Sequence, residues 1–229
     1  MVHFVWMMNG IRQFIAVSIL FANTRLLVEK KFLKYLILVL ILSTIHITAL
    51  IMIPIYFVVT AKPWGLRMWI AVAAVLVIGM SLDRIAANWS FLLEDSAYEG
   101  YLTEAATSSG SNILRSAVAI APPLLALICK RYTDQARENR VLNISIIMSV
   151  LSAVIYLCSS FSGGILVGRL PIYFDMYNLL LLPWLVRNAF TKRSQTVAYM
   201  GLIVCYLAFF YSKAVYGMGL TYISDILPI

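Results

Sequence analysis

The fold of this chain is decided by residues 32–60, which read FLKYLILVLILSTIHITALIMIPIYFVVT. The stretch is longer than the roughly 20 apolar residues that cross a bilayer as a helix. Ser43, Thr44, His46 and Thr48 stand near its midpoint. Its length and apolar character predict membrane insertion, and the polar group at its centre marks the point where a helix would break.

The rest of the chain has the same apolar character. Apolar residues make up 62% of the sequence and charged residues 12%, against about 45–50% and 25% in soluble domains. They come in blocks of helix length, without the period-2 alternation of strands. We therefore predict an all-α, polytopic transmembrane protein with one domain over residues 1–229. About seven membrane segments are expected, at residues 2–26, 32–60, 63–82, 112–129, 141–161, 170–186 and 195–211.

The basic residues indicate which connections face the cytoplasm. The net charge is +8, and thirteen of the eighteen Lys and Arg residues lie in four short connections. Basic connections stay on the cytoplasmic side of a membrane, so this charge does not indicate a nucleic-acid partner. The four groups are Arg25, Lys30, Lys31 and Lys34; Lys62 and Arg67; Lys130, Arg131, Arg137 and Arg140; and Arg187, Lys192 and Arg193.

Residues 83–111 form a connection of the opposite kind. This loop contains five carboxylates and one basic residue, and aromatic residues such as Tyr98 are frequent in it. We place this loop on the outer side. If residues 32–60 were one straight span, the first two basic connections would then lie on opposite faces. Two half-helices that meet at His46 as a re-entrant hairpin, with Thr48 capping the second, would remove the conflict. The alternative is one long tilted helix that violates the rule once.

The familiar signatures of soluble enzymes and metal sites are missing from the sequence. Cys129, Cys158 and Cys205 lie in or beside apolar blocks without CxxC spacing or a nearby histidine, so we expect them to pack as small hydrophobic residues. The chain has no Gly-rich phosphate loop, HExxH or GxSxG motif. We expect no metal and no cofactor.

Three arginines fall inside or at the outer ends of predicted spans: Arg12, Arg115 and Arg169. An arginine at mid-depth costs on the order of 2.5–3.5 kcal/mol on insertion scales, so each one needs a partner. They can snorkel to the headgroups or pair with carboxylates. If they converge with His46 on one cavity, their planar guanidinium groups suit the oxygens of a diphosphate.

Three short motifs carry a resemblance to a known family. They are Gly10-Ile11-Arg12-Gln13-Phe14-Ile15-Ala16, His46-Ile47-Thr48 and Arg169-Leu170-Pro171-Ile172-Tyr173-Phe174. Their order and spacing resemble the GxRQxxA, His-x-Ser/Thr and R-x-x-x-Y-F elements of the EpsG-like family of polysaccharide-biosynthesis membrane proteins. Members of that family usually carry several more N-terminal spans before the first motif, so the chain looks like a fragment, a sequence with a mis-called start or a shortened member.

The resemblance implies a Wzy-type polymerase of exopolysaccharide, capsule or O-antigen in the bacterial inner membrane. Such a glycosyltransferase joins repeat units carried on undecaprenyl diphosphate at the outer face, without a metal or nucleotide sugar. Its partners would be the lipid-linked oligosaccharide, membrane lipids and other polysaccharide-assembly membrane proteins. There are two alternative functions. The protein could be a flippase or transporter of lipid-linked sugars, or it could be a non-catalytic assembly partner.

We expect catalytic roles for Arg12, Arg169 and His46. The two arginines would clamp the donor diphosphate and stabilise the charge that develops as the carrier leaves. The general base is either His46 or an acidic residue of the outer loop, Asp95 or Glu99. Substrate contacts are expected from Arg115, Gln13, Tyr173, Tyr98 and Glu99.

Overall fold

The computed structural model describes residue 7 and residues 10–89, 113–161 and 168–217 of the 229-residue chain. Every regular element in these ranges is a helix, which confirms the all-α prediction for the part that is described. The helices are α1 (Ile11–Ala22), α2 (Arg25–Val28), α3 (Phe32–Ile45), a 3₁₀ helix (Ile47–Ile51), α4 (Met52–Val59), α5 (Leu66–Trp89), α6 (Ile113–Ile128), α7 (Lys130–Gln135), α8 (Arg140–Phe161), α9 (Ile172–Asp175), α10 (Asn178–Ala189), α11 (Lys192–Ser212) and a π-helix (Lys213–Gly217).

Helix α8 forms the centre of the bundle, and α5, α6, α9 and α10 pack around it. Its buried face carries a row of serines: Ser145, Ser149, Ser152 and Ser159. Small side chains let neighbouring helices approach closely. Helix α5 approaches closely at Gly79, where an added Cβ would lie 2.8 Å from both Cβ and Sγ of Cys158.

Two helices in the described residues are long and apolar enough to cross a membrane: Arg140–Phe161 and Lys192–Val215. The first is the buried centre of the bundle, whereas few residues of the second are buried. Val197 of α11 is 72% exposed and Val204 is 64% exposed. An apolar helix with so little protein around it is expected in lipid and not in water.

Residues 32–60 fold back on themselves. Helix α3 has 14 residues, or about 21 Å at 1.5 Å per residue, which is less than the roughly 30 Å of a hydrocarbon core. It ends at His46, whose backbone is extended with φ −150° and ψ 110°. The ring of Phe32 then meets that of Tyr56 at 5.0 Å, and the ring of Tyr35 meets it at 5.6 Å. The start of α3 therefore lies beside the end of α4.

The predicted cap at Thr48 is wrong. The second half of the hairpin begins as a 3₁₀ helix without a side-chain cap. The backbone N–H of Ala49 donates to the carbonyl oxygen of His46 at 3.0 Å. Because the tight 3₁₀ turn satisfies its own first donor in this way, the Thr48 hydroxyl is available for other partners.

All four basic connections lie at the same end of the bundle, which we call the basic end. Arg140 Nη1 donates to the carbonyl oxygen of Val28 at 2.8 Å, and Lys62 shares a cavity with both of these connections. At this end of α8, Leu142 packs in one cluster with Leu185 near the end of α10. The fold back at His46 makes this arrangement possible, because α3 leaves the basic end and α4 returns to it.

Several predicted spans are shorter or broken in the structure. Helix α1 ends at Ala22, where the side chains of Asn23 and Thr24 bond the carbonyl oxygens of Ile19 and Phe21. Helix α5 continues to Trp89 and so includes the start of the predicted outer loop. The predicted span at residues 170–186 is divided into α9 and α10.

Candidate functional site

The first and third motifs meet at a hydrogen bond between α1 and the chain before α9. Gln13 is 4% exposed, and its Nε2 donates to the carbonyl oxygen of Arg169 at 3.1 Å. The two residues are 156 positions apart in the sequence. The amide of Gln13 holds the backbone that carries Arg169, and its predicted contact with the substrate stays a prediction. Its neighbour Arg12 is exposed.

The second and third motifs meet at Thr48, which the sequence analysis did not include among the site residues. Its hydroxyl bonds Nδ1 of His46 at 2.7 Å and the hydroxyl of Tyr173 at 3.1 Å. Tyr173 is buried, with 2% of its surface exposed. The His-x-Thr spacing thus places the hydroxyl where it can orient the imidazole, and Tyr173 holds that hydroxyl from the far side.

The four-residue spacing of the third motif continues for one more step. Tyr177 lies four residues after Tyr173, which itself lies four residues after Arg169. The hydroxyl of Tyr177 bonds Thr24 Oγ1 at 3.0 Å. Turns bonded from Tyr173 N–H to Leu170 O and from Tyr177 N–H to Phe174 O keep this segment helix-like. Residues four apart then share a face. That face lies against α1 and the 3₁₀ helix.

The charges of the site come together around His46. Arg12 and Arg169 both act on the imidazole electrostatically. His46 is half-buried at the tip of the hairpin, and Arg169 is also half-buried. The structure therefore brings together Arg12, Gln13, His46, Arg169 and Tyr173, at the end of the bundle opposite to the basic connections.

Arg115 lies on the other side of the segment that carries Arg169. Its Nη2 donates to the carbonyl oxygen of Gly168 at 3.4 Å, and its guanidinium lies 4.7 Å from the ring centroid of Tyr156. A Cβ built on Gly168 would lie 3.0 Å from Ser159 Oγ, so the glycine lets this backbone pass close to α8. Arg115 thus supports Arg169 through the backbone of Gly168.

A second group of polar residues, which the sequence analysis did not assign, surrounds Arg115. Lys213 interacts electrostatically with Arg115 and Asp175, and Asp175 accepts a hydrogen bond from Asn178 Nδ2 at 2.7 Å. Lys213 comes 38 residues after Asp175, and such a separation leaves no local signal in the sequence.

Tyr98, Glu99 and Asp95 lie outside the described residues, so their predicted roles stay predictions. Within the described ranges, no three His, Cys, Asp or Glu side chains are grouped as metal ligands would be. The reaction without a metal stays a prediction as well.

Comparison with known proteins identifies the family. No curated protein and no solved structure matches the sequence. The sequence model of the EpsG family matches residues 1–224, which includes all three motifs and all described helices. The resemblance seen in the motifs is confirmed, and this membrane protein belongs to the EpsG family.

Proposed function

We propose that the protein is a polysaccharide polymerase, a glycosyltransferase that joins repeat units carried on a polyprenyl diphosphate. The observation that carries the proposal is the convergence of three distant motifs on His46, Arg12 and Arg169. Family membership supports the broader role in polysaccharide biosynthesis. The cluster supplies what such a transfer needs: two permanent positive charges and a group that can take a proton.

In the proposed reaction, a hydroxyl oxygen of the acceptor sugar attacks the anomeric carbon of the donor glycan. The bond from that carbon to the diphosphate oxygen breaks, and its electron pair leaves with the polyprenyl diphosphate. The guanidiniums of Arg12 and Arg169 stabilise the negative charge that develops on the diphosphate. The proton of the attacking hydroxyl passes to a base. No oxidant, reductant or further substrate is needed.

His46 is the base that the geometry supports. Thr48 engages Nδ1 at 2.7 Å, which fixes the ring and leaves Nε2 for proton transfer. The guanidinium groups of Arg12 and Arg169 act on the same imidazole, so the proposed base lies beside the proposed diphosphate clamp. Asp95 and Glu99 are the alternative bases. The variants His46→Gln, Asp95→Asn and Glu99→Gln distinguish the three candidates, because only loss of the true base should abolish polymerisation.

The lipid carrier has a place beside this cluster. An apolar groove of about 390 Å³ lies between α10 and α11, and it begins at Asp175 and Asn178 and continues along Leu182 and Leu207. Asp175 is two residues from Tyr173, so a diphosphate near Arg169 has its apolar chain within reach of the groove. We assign the groove to the polyprenyl chain, and a carrier with a much shorter chain should be a poorer substrate.

The proposed orientation puts the site at the outer face of the bacterial inner membrane. All four basic connections share one end, which the charge rule places in the cytoplasm. The hairpin of α3 and α4 is then re-entrant, with His46 at its tip inside the membrane. Backbone that breaks inside a bilayer is tolerated where protein surrounds it, and α1 and the segment carrying Tyr173 surround this break.

The test is polymerisation of a defined lipid-linked repeat unit by the purified protein in liposomes. We expect polymer to form in the presence of a chelator, with release of one polyprenyl diphosphate for each linkage. If the purified protein makes no polymer but moves the lipid-linked unit across the bilayer, the result would favour a transporter. Protein that is inert in both assays, but restores polymer in cells, would indicate an assembly partner.

A further inference from the structure

A second cavity opens at the basic end, opposite to the motif residues. Its volume is about 370 Å³, which is within the usual range of small-ligand sites. Three of the four basic connections contribute to its wall. Lys30, Lys62, Arg137 and Arg140 supply the positive charge, and Leu27 and Val59 supply part of the apolar lining.

The cavity has an excess of positive charge. Glu138 is the carboxylate that the described residues place on its wall, against four basic side chains. One of the four, Arg137, also forms an exposed ion pair with Asp134 at 3.4 Å, which leaves the wall with a net positive charge. The nearby Glu29 is engaged elsewhere, because hydrogen bonds from Lys31 and Arg25 lower its pKa to about 2. Glu29 is therefore fully ionised at neutral pH, and its charge is balanced by those two residues and not by the cavity.

The wall is held in place by bonds between the connections. Arg140 Nη1 donates to the carbonyl oxygen of Val28 at 2.8 Å, and Asn143 Nδ2 donates to that of Arg137 at 2.8 Å. Lys30 adopts a left-handed backbone, with φ 55°, a conformation that is uncommon for a residue other than glycine. Leu27 is 2% exposed, so the apolar part of the lining is packed core. These contacts hold the backbone and the apolar part of the wall in place, and the four basic side chains stand exposed around the cavity.

The charge rule for membrane proteins explains why basic residues lie at this end, but it does not explain why they surround a cavity. The fourth basic connection has the same charge character, and its residues Lys192 and Arg193 do not line the cavity. The cavity lies at the level of the lipid headgroups. Its basic residues suit the phosphate of an anionic lipid, and its apolar lining suits the start of the acyl chains. We propose that this cavity binds the phosphate headgroup of an anionic membrane lipid.

The experiment measures lipid binding to the purified full-length protein by native mass spectrometry, with phosphatidylglycerol and phosphatidylcholine as the probes. Lys62→Ala combined with Arg137→Ala removes two charges from the wall. Lys192→Ala combined with Arg193→Ala removes two charges from the same end, outside the cavity. We expect the first pair to weaken phosphatidylglycerol binding about thirtyfold, which corresponds to about 1 kcal/mol for each basic residue. The second pair should change binding less than threefold.

Charge and fold are controlled separately. Lys62→Arg combined with Arg137→Lys keeps both charges and should retain binding within about threefold, and the melting temperature of each lipid-free variant reports its folding. Equal loss in both alanine pairs, or equal binding of the two lipids by the native protein, would overturn the proposal. Inorganic phosphate serves as the soluble probe. If phosphate binds and phosphatidylglycerol does not, the lipid assignment is wrong.

Discussion

The replacement Thr48→Val tests the hydroxyl that links His46 and Tyr173 in the candidate site, with little change in the shape of the side chain. Valine has nearly the volume of threonine and lacks the hydroxyl that bonds His46 Nδ1 at 2.7 Å and the Tyr173 hydroxyl at 3.1 Å. Each such bond is worth about 0.5–1.5 kcal/mol net. If the loss of both falls on the reactive state, the polymerisation rate should drop roughly 5- to 150-fold.

The assay is the initial rate of polymer formation from a lipid-linked repeat unit, at equal membrane abundance of each variant. Thr48→Ser keeps the hydroxyl and should retain most of the rate. Thr24→Val is the matched control, because it removes a similar bond to Tyr177 at 3.0 Å without contact to His46. It should leave the rate unchanged.

A double-mutant cycle adds Tyr173→Phe. If Tyr173 acts through Thr48, the double variant should be no slower than Thr48→Val alone. Native rates from Thr48→Val at normal abundance would refute the reasoning. An additive loss in the double variant would show that Tyr173 has a role of its own.

Three further predictions concern charge geometry, packing and topology. Arg169→Lys keeps the positive charge but loses the bidentate fork, and we expect a roughly ten- to hundredfold slower polymerisation; native polymer length and yield in cells would contradict a diphosphate clamp. Gly79→Ala should lower the melting temperature, because its Cβ would lie 2.8 Å from Cys158 and overpacking costs about 1–3 kcal/mol. Gly201→Ala has nothing within 4 Å and should be neutral or slightly stabilising, so equal effects of the two changes would refute the packing argument. Cysteines placed at Lys31 and Arg137 should react with an impermeant thiol reagent only from the cytoplasm, and labelling from opposite sides would exclude the re-entrant hairpin.

The helical content and the break at His46 were predictable from the sequence, because both depend on local patterns. Apolar blocks of helix length predict α3, α6 and α8 to within a few residues. The polar residues around His46 interrupt such a block, and the structure turns there. The grouping of basic connections at one end also follows from charge distribution, which can be counted along the chain.

The pairings inside the site could not be predicted in this way. Thr48 was expected to cap a helix, but its hydroxyl bonds His46 and Tyr173, and the bond from Gln13 to the Arg169 backbone was not predicted. The contacts of Gln13 with Arg169 and of Thr48 with Tyr173 depend on packing between residues that are more than a hundred positions apart. A glutamine or threonine can hydrogen-bond water, substrate or a distant carbonyl oxygen. The local sequence is the same in each case, so it does not reveal which partner the side chain has.

The long separation between the paired residues has a consequence for biosynthesis. The bond from Gln13 to Arg169 spans 156 positions, and the bond from Thr48 to Tyr173 spans 125. At about 5–20 residues per second, a ribosome needs roughly 8–30 s to travel from the first motif to the third. During this interval the inserted N-terminal helices carry the amide of Gln13 and the hydroxyl of Thr48 without their distant partners. The insertion machinery also meets residues 32–60 as a single apolar stretch, before the segment that packs against the hairpin tip exists. The hairpin therefore reaches its final form only after Tyr173 has been made, so a segment that is synthesised late determines when an earlier one is finished.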